Sequence, residues 1–204
     1  MHKSPIVMYG GAFNPPHMDH ISKEGIVGRL LETVAEKILI IPTGERSDKG
    51  YHGISYHNRL EMLRLATEDF RGRVEVDTVC MDGYIDSTTL AQARYLRREY
   101  GYDVPQVFGA DVAVHMREWD RTGFVAEKLP KIFVTRPGFE ITGVQNYQTL
   151  HFVSRGFSST DIRKDVARIL AGKENIEALR KKVHSKVLDY ILKNNLFNEV
   201  PHAE

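Results

Sequence analysis

Cysteine occurs once in these 204 residues, at Cys80, and tryptophan once, at Trp119. A single thiol excludes an internal disulfide and a multi-cysteine zinc cage, which fits a reducing cytoplasm. No apolar run approaches the length a bilayer requires, and no cleavable signal pattern precedes the first apolar segment. A soluble, cytoplasmic protein without membrane contact is expected. Net charge is almost absent, with 28 Lys and Arg against 27 Asp and Glu, so there is no broad positive field to hold nucleic acid by its backbone. Internal repeats, low-complexity tracts and separating linkers are missing as well. One domain over 1–204 is expected, an α/β core over about 1–138 and a C-terminal part over about 150–200.

What is present alternates. Ile6–Tyr9 is short, apolar and followed by Gly10 and Gly11, which reads as a buried strand ending in a tight turn. Ile26, Val27, Leu30, Leu31 and Val34 mark a helical stripe, and Lys37–Ile41 a second strand. Leu60, Leu63, Ala66, Thr67 and Phe70 share a helical face, Val74–Val79 alternates like a strand, and Leu90, Ala93, Leu96 and Tyr100 mark a third helix. Gln106–Phe108 and Lys131–Thr135 are further strand candidates. The C-terminal part carries a short apolar piece at His151–Val153 and two helical stripes, one through Ile162, Val166, Ile169 and Leu170, one through Val183, Val187, Tyr190 and Ile191. Alternation of this kind implies a Rossmann-like, doubly wound parallel sheet with right-handed crossovers, reversing its order at the first strand.

The chemistry-bearing segment is Gly10-Gly11-Ala12-Phe13-Asn14-Pro15-Pro16-His17-Met18-Asp19-His20, between the first strand and first helix. Ligands of open parallel sheets bind beyond the carboxyl ends of the strands, and glycines there let a phosphate approach the backbone. His17 and His20, expected at the start of the helix, should project to one side and donate to phosphate oxygens. A metal is the rival reading, but two histidines alone make an incomplete zinc site. The loop lacks GxGxxG, which argues against a dinucleotide-binding oxidoreductase. Ser158, Ser159 and Thr160 are helix N-cap residue types, so they should open another helix whose N–H groups face phosphate, with Arg163 in its first turn offering a planar cationic fork.

The first loop resembles the GGxFxPxHxxH signature of the nucleotidylyltransferase superfamily, specifically its nicotinate and nicotinamide mononucleotide adenylyltransferases. Ser158-Ser159-Thr160-Asp161-Ile162-Arg163 resembles that family's SSTxIR segment. Between them, Asn58–Leu63 is similar to its HRLEML helix with Asn58 in place of the usual histidine, Gly109-Ala110-Asp111 to its GAD segment, and Arg136-Pro137-Gly138 to its RPG turn. Val187–Phe197 is similar to its C-terminal helix, so the likeness spans nearly the whole chain.

The resemblance implies transfer of AMP from ATP to a pyridine mononucleotide by direct in-line attack, with pyrophosphate leaving. Pantetheine-phosphate or cytidylyl transfer, and a non-catalytic nucleotide sensor on the same fold, are the alternatives. It assigns catalysis to His17, His20, Arg163 and Lys49, with Arg46 as the alternate to Lys49. It assigns ATP to Gly10, Gly11, Phe13, Gly109, Asp111, Arg136, Ser158, Ser159 and Thr160, and the mononucleotide to Asn14, Asp86, Thr89 and Trp119. Magnesium would be held mainly by the ATP phosphates, with no protein ligand. The substrates would be the only partners implied, and self-association stays open. His57 and His115 match no family position and are read as surface residues. Nicotinate-preferring members carry an SYTxDTL-like segment, of which Tyr84–Leu90 keeps only the final Thr-Leu. Asp86 there would repel a nicotinate carboxylate if it faced the ring and accept a hydrogen bond from a carboxamide.

Overall fold

A computed structural model describes residues 3–44, 54–173 and 175–198. Six parallel strands form one sheet in the order β3-β2-β1-β4-β5-β6, with β1 at Ser4–Gly11, β2 at Ala35–Pro42, β3 at Val74–Val76, β4 at Gln106–Gly109, β5 at Lys131–Val134 and β6 at Tyr147–Leu150. Chain order runs outward from β1 in both directions. The switch point expected from the alternation is therefore there, between β1 and β4, where Met8 and Tyr9 pair with Gln106 and Val107.

β1 is covered on both faces, as its unbroken apolar run requires. Val7 and Tyr9 face one side, packed with Ile38, Ile40, Val107 and Ile132 against α1 (Ile26–Thr33), α2 (Tyr56–Thr67), α4 (Ser159–Leu170) and α6 (Ser185–Lys193). Ile6 and Met8 face the other, with Leu39, Ile41 and Leu96 of α3 (Thr89–Tyr100). Phe133 of β5 joins Ala93 of α3 and Met116 of the 3₁₀ segment Ala110–Glu118 in a third cluster.

Local chemistry sets the helix limits. The Ser55 hydroxyl accepts from Asn58 N–H to open α2, Thr88 from Ala91 N–H to open α3, and Ser158 from Asp161 N–H to open α4. Gly101, at φ +79, closes α3 in the left-handed conformation that a Cβ disfavours. Asn58, standing where the resembled family has histidine, accepts from the Tyr190 hydroxyl at 2.8 Å and so pins α6 onto α2. Among the described residues no helix is long and apolar enough to cross a membrane.

Two expectations are corrected. The first helix does not begin at His17: residues 12–25 run without regular helix and α1 starts at Ile26. Pro15 and Pro16 lack an N–H, and Met18 N–H donates out of the segment to Lys182 O at 2.8 Å, so its backbone is held by turns and long-range bonds. β3 stops at Val76 because the Asp77 carboxylate accepts from Val79 N–H and turns the chain. Two elements had no sequence expectation: β6 at Tyr147–Leu150, ahead of the apolar piece at 151–153, and a short helix, α5 (Glu177–Arg180), between the two expected C-terminal helices.

Gly28 tests this packing. Alanine normally stabilises a helix relative to glycine by roughly 1 kcal/mol, but a Cβ on Gly28 would collide with the backbone of Lys23. Gly28→Ala is therefore expected to destabilise, by about 1–3 kcal/mol, measured as a lower urea midpoint with unchanged slope.

Candidate active site at the β1–β4 crevice

The first loop leaves β1 under steric control. Phe13 takes φ +47, a conformation costly for a side chain of its size, and its ring turns back over Gly11, where an added Cβ would meet it at 3.1 Å. The bare backbone at Gly11 thus admits Phe13. The ring meets Tyr9 and His20 edge-on, with centroids 5.4 and 5.5 Å apart. That contact orients His20. His20 N–H donates to His17 O at 2.9 Å, and the single turn it closes puts both imidazoles on one side, stacked at 3.6 Å and 22°.

Both rings are uncharged near neutral pH. His17 is 5 % exposed, and burial pushes its pKa down to about 4, a shift that Arg155 reinforces and Asp19 opposes. Burial also holds His20 well below the usual imidazole range, with His17 and Arg136 adding to the effect. The Nδ1 atoms of both are buried without a hydrogen-bond partner. Two stacked imidazolium ions at this separation would repel, so the pair gains protons readily only when an anion arrives to offset them.

A cavity of about 290 Å³ opens in front of the pair, lined also by Gly109, Arg136, Ser158 and Ser159, with Tyr9, Phe108, Phe152 and Phe157 as its apolar walls. Four sequence motifs, represented by His17 and His20, Gly109, Arg136, and Ser158 and Ser159, thus meet at the carboxyl ends of β1, β4 and β5. Arg136 faces the cavity and lies 3.4 Å from the Asp111 carboxylate, whose Oδ1 occupies the space a side chain on Gly109 would need. Ser159 Oγ donates to Pro15 O at 2.9 Å and fixes the start of α4 against the first loop.

Arg163 sits behind this wall. Its Nη1 donates to Asn14 O at 2.7 Å and its Nη2 to Thr160 Oγ1 at 3.2 Å, so the guanidinium ties the two motifs together. It makes no pair with Asp161 or Asp165, which engage Ser158 and Lys182. Asn14 is 3 % exposed, and neither end of its amide has a partner.

The residues assigned to the mononucleotide are not gathered by that cavity. Trp119 is 39 % exposed and lies beside the cavity-lining Phe108, 5.8 Å away between ring centroids, without lining the cavity itself. Thr89 is the first residue of α3, and Asp86 is exposed beside Tyr84 and Arg94 in a separate groove. Arg46 and Lys49 lie outside the described residues. His57 and His115 are exposed, as expected.

Sequence reasoning missed Asp19, Arg155 and Tyr9. Asp19, 3 % exposed, accepts hydrogen bonds from residues 154, 155 and 157. Nothing in a single sequence pairs residues so far apart; the only signal was a carboxylate set between two histidines. Tyr9 lines the cavity, and burial holds its hydroxyl un-ionised.

The description cytidylyltransferase-like fits a family model matching residues 8–165, more than half of the chain. A protein of Leptospira borgpetersenii serovar Hardjo-bovis named "probable nicotinate-nucleotide adenylyltransferase" is 25% identical over 206 residues, covering 96% of this chain and 99% of its own. One of the same name from Salinispora arenicola is 29% identical over 197 residues, covering 93% and 100%. Among solved structures, the Plasmodium falciparum nicotinic acid mononucleotide adenylyltransferase complexed with NaAD superposes with a TM-score of 0.77 at 19% identity, over 97% of this chain and 98% of the other. That likeness shows the fold.

The buried pair makes stability depend on pH. An imidazole that is harder to protonate folded than unfolded leaves the unfolded chain with the extra proton, so stability is full above about pH 6.5 and falls as pH drops toward 4. His17 alone accounts for a loss of about 2 kcal/mol between pH 7 and pH 5. Urea unfolding at the two pH values should show it, and His17→Gln should remove most of His17's share.

Proposed function

The chain belongs to the cytidylyltransferase-like family, and on that premise we propose that it is an adenylyltransferase that moves the AMP part of ATP onto the phosphate of nicotinate or nicotinamide mononucleotide. The observation that carries this reading is the convergence of the stacked histidines, Arg136 and the start of α4 on one cavity at the switch point. The curated relatives' names support adenylyl transfer and the nicotinate form.

A phosphate oxygen of the mononucleotide attacks the α-phosphorus of ATP, the new P–O bond forms, and the bond to the departing pyrophosphate breaks. No group on the protein bonds to phosphorus. The side chains align two anions and stabilise the charge that accumulates on the α-phosphate and the leaving group. His17 and His20 offer N–H donors in a site screened from water, and a bound triphosphate would raise their affinity for a second proton. Arg136 supplies permanent charge and the N–H groups opening α4 supply neutral donors, while the Ser158 and Ser159 hydroxyls, donated to Asp161 and Pro15, hold that helix start in place. Arg163 acts from behind, by fixing α4 against Asn14.

The cavity does not fit a magnesium ion held by the protein. Its one lining carboxylate, Asp19, has both oxygens engaged, and among the described residues no group of three or more metal-ligating side chains gathers. Magnesium is therefore assigned to the ATP phosphates. The family resemblance assigns the pyridine ring to Trp119, Thr89 and Asn14, and the exposed Asp86 sets selectivity only if substrate reaches its groove. The reaction is placed in the cytoplasm.

Incubation with ATP, magnesium and each mononucleotide should yield pyrophosphate with deamido-NAD or NAD, identified by mass. CTP in place of ATP should give no product; efficient use of CTP would favour cytidylyl transfer. His17→Ala and His20→Ala should each lower kcat by about 100-fold or more while the protein stays folded. Near wild-type kcat in either would remove that residue from the catalytic set.

A further inference from the structure

We propose that Asp19 is a positioning residue that holds segment 154–157 as the wall of the nucleotide cavity, with Arg155 cancelling the negative charge this places beside the phosphates. The proposal rests on the adenylyl-transfer reading for its kinetic arm and on geometry alone for its structural arm.

Segment 151–158 has no regular secondary structure, yet it connects β6 to the serines that face the histidine pair. Phe152 N–H donates to Thr135 Oγ1 and Arg155 Nη2 to Ser22 Oγ, but four of the segment's inward bonds converge on one carboxylate. Asp19 Oδ2 accepts from Ser154 Oγ at 2.8 Å, Arg155 N–H at 3.0 Å and Phe157 N–H at 3.4 Å, and Asp19 Oδ1 accepts from Arg155 Nε at 2.6 Å. Asp19 itself lies between His17 and His20, and its own carbonyl receives Ile26 N–H at the start of α1. One side chain therefore supplies most of the bonds that set the distance between the histidine pair and residues 154–157.

Its chemistry is unusual for such a place. A carboxylate lining a cavity that takes a polyphosphate repels the ligand unless its charge is matched. Arg155 matches it: the guanidinium pairs with Asp19, is 37 % exposed at its side chain, and lies over the Phe157 ring at 5.1 Å. The carboxylate is no general base, because these donors hold its pKa below the ordinary range against the opposing effect of burial. What remains for it is geometry.

Three variants separate the parts. Asp19→Asn loses the charge and turns an amide N–H₂ toward donors. Arg155→Gln leaves the carboxylate uncompensated in the cavity. The double variant removes both charges. Hydrogen–deuterium exchange should speed up about tenfold or more over 154–157 in Asp19→Asn, with the strands of the sheet unchanged. In steady-state assays KM for ATP should rise about tenfold in Asp19→Asn and further in Arg155→Gln, and the double variant should fall back toward the Asp19→Asn value. KM for the mononucleotide should stay within about twofold of wild type. General loosening of the fold would instead lower kcat and leave both KM values alone, and that pattern would overturn a positioning role. Unchanged exchange over 154–157 would overturn the clamp outright. If Asp19→Asn fails to fold, Arg155→Gln alone carries both readouts. A wild-type protein that makes no dinucleotide would refute adenylyl transfer, and the exchange arm, with ATP affinity from calorimetry, would still decide the clamp.

Discussion

Everything in this molecule hangs on β1 being paired in parallel on both edges and buried on both faces. A central strand so placed has the chain running outward from it in two directions, which forces the crossover connections to opposite faces and leaves a crevice at its carboxyl end. On the β4 side pairing ends at Tyr9, while Gly10 and Gly11 still pair with Ile41 and Pro42 of β2 and border the crevice. The loop that follows has little freedom, since Phe13 must turn its ring back over Gly11 to stay out of water, and His20 then packs against that ring. The catalytic geometry descends from a packing constraint.

The electrostatics follow from the same burial. Stacked, poorly hydrated imidazoles reject protons, so the site presents weak neutral donors beside the fixed charge of Arg136. Such a site is nearly neutral when empty and gains positive character in response to an anion, which keeps the cost of leaving it empty low. A protein with almost no net charge can in this way bind a highly charged substrate, because the compensation is local.

The C-terminal part supplies the other half of the site through a few cross-chain bonds. Arg163 to Asn14 O, Ser159 to Pro15 O, Met18 N–H to Lys182 O and the Asp19 cluster all join residues 14–19 to residues 154–182. Several of the acceptors are backbone carbonyls, which any residue would supply. Side chains that line the cavity are thus held in place by others, Arg163 among them, that keep two distant segments in register.

The sequence by itself determined the alternation of strands and helices, the reversal at the first strand and the motifs that meet there. Apolar periodicity and turn chemistry are local, and each of β1, β2, α2, α3 and α4 is written in a stretch of a dozen residues or fewer. It also marked His17, His20, Ser158 and Ser159, because residue type and position after a strand or at a helix start are local too. The tertiary structure alone decided that His17 precedes the helix instead of opening it, that Arg163 turns to Asn14, and that Asp19 and Arg155 join. It decided as well that β6 precedes the apolar piece at 151–153. Except for β6, which is placed by pairing with the nearby β5, these outcomes depend on which backbone or carboxylate oxygen a donor can reach across more than a hundred residues. That distance exists only once the sheet has formed, so no pattern within either segment could record it.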